Sequence, residues 1–151
     1  MGSPAKAKER RTQPYVAQRL TGKLIGLRLG ELRTVADWLD YSNSVRALAA
    51  ERPGAIVICA DYRQLQVMNR EVAAALLDGL REFNTRLYRS ALLLPSDAPT
   101  LQLQMERILR EARNLRRRVC SDAAEVKAWL ASCLDAIEQA RLAEFLAAPG
   151  L

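Results

Sequence analysis

The chain has 151 residues, half of them apolar and about a quarter charged, enough for one packed core and ordinary for a globular domain. It carries a net charge of +6 and no histidine, which excludes His-based nucleophilic triads, imidazole metal sites and histidine acid–base chemistry. No apolar stretch approaches the ~18 residues of a membrane helix, and the N-terminus lacks the apolar core of a signal peptide.

Residues 1–13 are polar and basic, with Lys6, Lys8, Arg10 and Arg11, and read as a disordered tail. Two short mixed runs at 15–20 and 23–29 flank Thr21-Gly22 and predict a β-hairpin, because Gly at the junction allows φ > 0. Gly26 inside the second strand marks a bulge or a close approach. Thr34 then caps a helix, with Asp37 at N3. Val35, Trp38, Leu39, Val45, Leu48 and Ala49 share its expected apolar face, and Pro53-Gly54 stops it.

Residues 55–60 form an unbroken apolar run, which predicts a strand covered on both faces and ended by Asp61. A helix over 69–83 follows, with an apolar stripe from Val72 to Phe83. Residues 87–94 read as the next strand, broken by Pro95. Ser96 or Asp97 is expected to cap a helix with Pro99 in its first turn and Leu101, Met105, Ile108, Leu109 and Ala112 inward. Arg116 to Cys120 predict a short edge strand. With Arg113, its arginines make the densest basic cluster, read as a solvated surface; nucleic acid is not expected as a partner.

Asp122 with Glu125 has capping-box spacing. From there Val126, Trp129, Leu130, Cys133, Ala136, Ile137 and Ala140 trace a stripe. No Gly or Pro interrupts 123–148, so one long helix and two helices joined by a bend are both open. Leu142, Phe145 and Leu146 near the end suit folding back on the domain or pairing with a second copy. Cys59, Cys120 and Cys133 are odd in number and lack CxxC spacing. They read as buried thiols in a reducing compartment, hence a cytoplasmic location.

The order β-β-α-β-α-β-α-β-α argues an α/β fold with a mostly parallel or mixed five-stranded sheet and an extra C-terminal helix. The opening hairpin, the strand AIVICAD, the loop into the 69–83 helix and the closing VCSDAAEVKAWL resemble the STAS domain (sulfate transporter and anti-sigma factor antagonist), in its divergent SpoIIAA-like branch. The resemblance spans roughly residues 15–134, leaving 1–13 as a tail and 135–151 as a helical extension of the 14–134 domain. It implies a regulatory protein-interaction module without catalytic activity or cofactor.

In the family's phosphorylated members an Asp-Ser pair opens the helix after the central strand. The matching positions here are Asn69 and Arg70, so the phosphoacceptor hydroxyl is missing. The expected partner-binding residues are Asp61, Tyr62, Arg63, Asn69, Arg70 and Glu71, with Arg70 receiving an acidic group at the positive end of the helix. The alternative is a small-ligand or lipid-binding domain akin to the CRAL-TRIO carriers, in which helices part from a sheet to open a pocket. Asp61, Tyr62 and Arg63 also lie where α/β enzymes carry active sites, but neither a nucleophile–base pair nor a phosphate loop accompanies them.

Overall fold

The computed structural model describes residues 15–148. The basic tail expected at 1–13 lies outside the described residues. Strands β1 (Tyr15–Thr21) and β2 (Leu24–Leu29) form the hairpin. Helix α1 (Val35–Ala50) leads to β3 (Ile56–Asp61), α2 (Arg70–Phe83) to β4 (Leu87–Leu93), and α3 (Pro99–Ala112) to β5 (Arg117–Cys120). Helix α4 (Ala123–Leu130), a 3-10 turn (Ala131–Cys133) and α5 (Ala136–Ala147) complete the fold. The sheet order is β1-β2-β3-β4-β5, with β1 antiparallel to β2 and every later pair parallel.

This order explains the layering. Each crossover steps one strand in the same direction, and crossovers share one hand, so α1, α2 and α3 fall on one face. They cover Ile25, Leu27, Ile58, Ala60 and Leu92. The opposite face, with Leu24, Val57, Cys59, Ala91 and Leu93, is covered by α4 and α5. All six residues of β3 are therefore buried, which is why its sequence runs apolar without alternation.

Gly22, at φ +55°, makes the hairpin turn in the left-handed region. Gly26 allows a close approach. A Cβ there would come within 2.9 Å of Phe145 Cε1 and 3.0 Å of Leu20 Cδ1. Gly26→Ala is therefore expected to cost about 1–3 kcal/mol in urea unfolding, through displacement of α5. Adding Phe145→Leu to that variant should recover part of the loss. If Gly26→Ala alone were as stable as wild type, the Phe145 ring would be shown to shift freely.

Several expectations are corrected. Helix α1 buries Trp38, Tyr41, Ser42, Val45 and Ala49, while Val35 and Leu39 are exposed. The stripe is turned toward Tyr41 and Ser42, whose polar tips hide how much apolar body they bury. Helix α3 starts at Pro99 after Ala98, without a side-chain cap from Ser96 or Asp97. Proline at N1 supplies the helical φ and has no N–H to be capped.

The C-terminal stripe ends at Cys133, and Ile137 is 70% exposed. Asp135 and Glu138 form a reciprocal capping box that starts a new helix without Gly or Pro. Helix α5 then lies back over β1 and β2 and buries Leu142, Phe145 and Leu146 within the same chain. The apolar residues that suited a second copy are thus covered intramolecularly. Among the described residues, no helix is long and apolar enough to cross a membrane.

Candidate functional site

The end of β3 sends consecutive side chains to opposite faces, as strand geometry requires. Asp61 points toward α5. It sits in register with Arg28 of β2, whose Nε donates to Asp61 Oδ2 at 3.3 Å. Arg63 grips the same carboxylate in a fork, Nε to Oδ1 and Nη2 to Oδ2 both at 2.8 Å, and its backbone N–H donates to Oδ1 at 3.3 Å.

Both arginines reach onward to the end of α5. Arg63 Nη2 donates to the Leu146 carbonyl at 3.1 Å. Arg28 Nη2 donates to the Phe145 and Ala148 carbonyls, with its guanidinium 4.0 Å from the Phe145 ring centroid. Two cations thus cap the negative end of a helix, and one buried carboxylate holds both. Burial alone would raise the pKa of Asp61, but the hydrogen bonds and charge of Arg63, with help from Arg28, outweigh it and hold it below the ordinary aspartate value. The arrangement locks a helix end; it keeps Asp61 an anion with both oxygens engaged.

Tyr62 points the other way and is buried. Its hydroxyl meets that of Tyr41 at 2.8 Å. Burial raises both phenols, Tyr62 to about 12. The Tyr62 N–H donates to the Leu93 carbonyl at 2.8 Å, so the loop after β3 leaves the sheet along β4. Leu65 and Met68 are buried, and Gln104 of α3 clamps the Met68 backbone through two bonds, at 3.0 Å to its N–H and 2.8 Å to its carbonyl.

Asn69 is the N-cap of α2. Its Oδ1 accepts from the Val72 N–H at 2.9 Å, and its Nδ2 donates to the Arg33 carbonyl at 2.8 Å. Arg70 and Glu71 occupy the exposed first turn. Of the six expected partner-binding residues, Asp61 and Tyr62 are thus enclosed and Asn69 serves the helix start. Arg63 is half-buried on α5, and only Arg70 and Glu71 stand clear of these networks.

Arg70 opens onto a groove of about 590 Å³ between α2 and α3. Ala73, Ala74, Leu77 and Ile108 give it an apolar lining, and Arg107 faces it from α3, paired to Glu111 at 3.0 Å. The floor is lined by alanines because α2 and α3 pack side by side on the sheet, and small residues where they meet leave a trough between larger flanks.

The basic cluster of 113–118 is dispersed. Arg113 ends α3 in the left-handed region at φ +57°. Arg116 donates to the Leu87 carbonyl at 3.3 Å. Arg118 stacks on Trp129, its guanidinium 4.8 Å from the ring centroid. Arg117, expected on a solvated surface, is buried. Alternation along β5 carried that signal: Arg117 shares parity with Val119, which packs against the α1–α3 core.

Cys59, Cys120 and Cys133 are free and buried, and burial pushes all three thiols up, Cys120 to about 11. Among the described residues, no three metal-ligating side chains converge.

No family model, curated protein or solved structure matches this chain. The geometry of these residues therefore carries the functional reading.

Proposed function

We propose that this protein is a non-enzymatic interaction module that receives an acidic segment of a partner protein in the α2–α3 groove. The observation that carries this reading is the position of Arg70: exposed in the first turn of α2 and without an ion-pair partner among the described residues, at the mouth of a trough lined by Ala73, Ala74, Leu77 and Ile108, with Gln104 and the Arg107–Glu111 pair on its α3 side. A helix N-terminus already favours negative charge, and Arg70 adds a full cation where the partner's carboxylates would arrive. The STAS-like reading of the sequence, in its divergent SpoIIAA-like branch, favours the same class. With Asn69 capping the helix and Arg70 in place of a phosphoacceptor serine, the switch would rest on the partner's charge and not on phosphorylation of this chain. Three buried free thiols suit a reducing compartment such as the cytoplasm.

The test is retention of short acidic peptides, against basic and neutral peptides of equal length, on immobilised wild type, Arg70→Glu and Arg107→Glu. Acidic peptides should be retained by wild type and released by salt. Each charge reversal should weaken retention about tenfold. Equal retention by wild type and Arg70→Glu overturns the reading.

A further inference from the structure

Across the four parallel strands, Ile25, Ile58, Ser90 and Arg117 stand in one row on the face covered by α1 and α2. Arg117 is 8% exposed, and no aspartate or glutamate among the described residues pairs with it. Its Nη1 donates to Asn84 Oδ1 and its Nη2 to the Leu80 carbonyl, both at 2.7 Å. These neutral acceptors leave its charge uncompensated, and its Nε–H bonds to no described group. A buried cation left this way is costly unless something else meets it.

What it faces is a cavity of about 50 Å³ between the sheet and α1–α2. Tyr41, Tyr62, Ser42 and Ser90 line it beside Arg117. The two phenols bond to each other, which uses one of their two hydroxyl protons and leaves the other. The Ser42 and Ser90 hydroxyls bond to no described group. No fully enclosed side-chain polar atom among the described residues lacks a partner, so these hydroxyls open onto the cavity. The wall therefore offers one positive charge and several hydroxyl donors, and no acidic residue among those described lines it; the remainder is apolar, with Trp38, Val45 and Leu76.

We propose that this cavity binds a carboxylate monoanion, its oxygens received by Arg117, by the one phenol proton that the Tyr41–Tyr62 pair leaves free, and by the hydroxyls of Ser42 and Ser90. By comparison with the ~150 Å³ that accommodate the six non-hydrogen atoms of benzene, the enclosed volume takes about two, so the two carboxylate oxygens enter it and the carbon lies at its mouth. The carboxylate is either a free small acid or the headgroup of a longer one. A longer acid would leave past Leu80 and Phe83, the half-buried members of the lining. This site lies on the sheet side of α2, away from the α2–α3 groove, so it stands or falls independently of the interaction reading.

The full chain is titrated with formate, acetate and octanoate at an ionic strength held constant with sodium sulfate, whose double charge the single Arg117 does not balance. Binding is read from the Arg117 Nε–H nuclear magnetic resonance signal and from the thermal midpoint. Saturable shifts with formate and acetate are expected. Octanoate binding about tenfold or more tightly than acetate assigns a headgroup; octanoate binding no tighter assigns a free small acid. Arg117→Met should weaken binding about tenfold or more. Ser90→Val keeps the charge, fills the space and should weaken binding by a similar factor. No saturable shift with any of the three acids overturns the site, as does unchanged affinity in a folded Ser90→Val protein.

Discussion

Asp61→Asn is expected to lower stability by about 3–5 kcal/mol, because it removes the carboxylate that bridges Arg28 and Arg63 while leaving both cations in place. The Asp61 side chain is 4% exposed and that of Arg28 is 11%, so water does not replace the partner that Arg28 loses, whereas Arg63, 37% exposed, turns to solvent and places the loss toward the lower end of that range. For a domain of this length the thermal midpoint should fall by on the order of 10 °C. The pH dependence has a definite sign. The folded-state pKa of Asp61 is depressed, so between that value and the ordinary one, near 4, the unfolded chain binds the extra proton. The stabilisation is complete above the ordinary value and is lost as pH falls through the folded one. Wild type should thus show a steep acid limb and Asp61→Asn a flatter one. A loss below about 1 kcal/mol, typical of exposed ion pairs, would show that the cluster is solvated in solution.

The same cluster shows how far a sequence alone can be read. The apolar run from Ala55 to Ala60 announced a strand covered on both sides, because burial on two faces leaves no polar position in the pattern, and the strand is found at Ile56–Asp61. The hairpin at Gly22, the cap at Thr34 and the edge position of β5 follow from equally local rules, and the structure contains all three. The functions of Asp61 and Tyr62 do not follow from local rules. Their partners lie 33 residues upstream at Arg28 and 21 upstream at Tyr41, and neither spacing has a sequence signature. The Gln104 clamp on Met68 is equally long-range. Arg117 is a different case. Its inward parity with Val119 was present in the sequence, but a run of three arginines outweighed alternation over only four residues. The capping box at Asp135 was also present, hidden because helix breaks are usually sought at Gly and Pro. Patterns with a fixed period were readable; polar pairs closed by the tertiary fold were not.

Helix α5 is tied down at both ends, and the second tie gives the other large expected effect. Glu138, 5% exposed at its side chain, accepts from the Lys23 ammonium at 2.8 Å, from the Lys23 N–H at 3.1 Å and from the Asp135 N–H at 2.9 Å. Burial alone would raise its pKa; Lys23 and the backbone donors outweigh that and lower it, so its contribution also fades in acid. Glu138→Ala is expected to cost about 2–3 kcal/mol, since two backbone donors lose their acceptor and the turn of β1–β2 loses its link to α5. Residues 138 and 146 are roughly 12 Å apart along the helix axis, a separation at which effects normally add. If α5 undocks as one unit, they do not add. Once the helix has left β1 and β2, the second substitution has nothing further to remove. The double variant Asp61→Asn/Glu138→Ala should therefore lie about 1 kcal/mol or more short of the summed losses. Native-state hydrogen exchange supplies the independent reading: α5 amides should lose protection in the double variant while those of β3 keep theirs. Strict additivity with a uniform fall in protection would mean that α5 unfolds only with the whole domain, and that the Asp61 and Glu138 anchors stabilise the sheet as much as the helix laid across it.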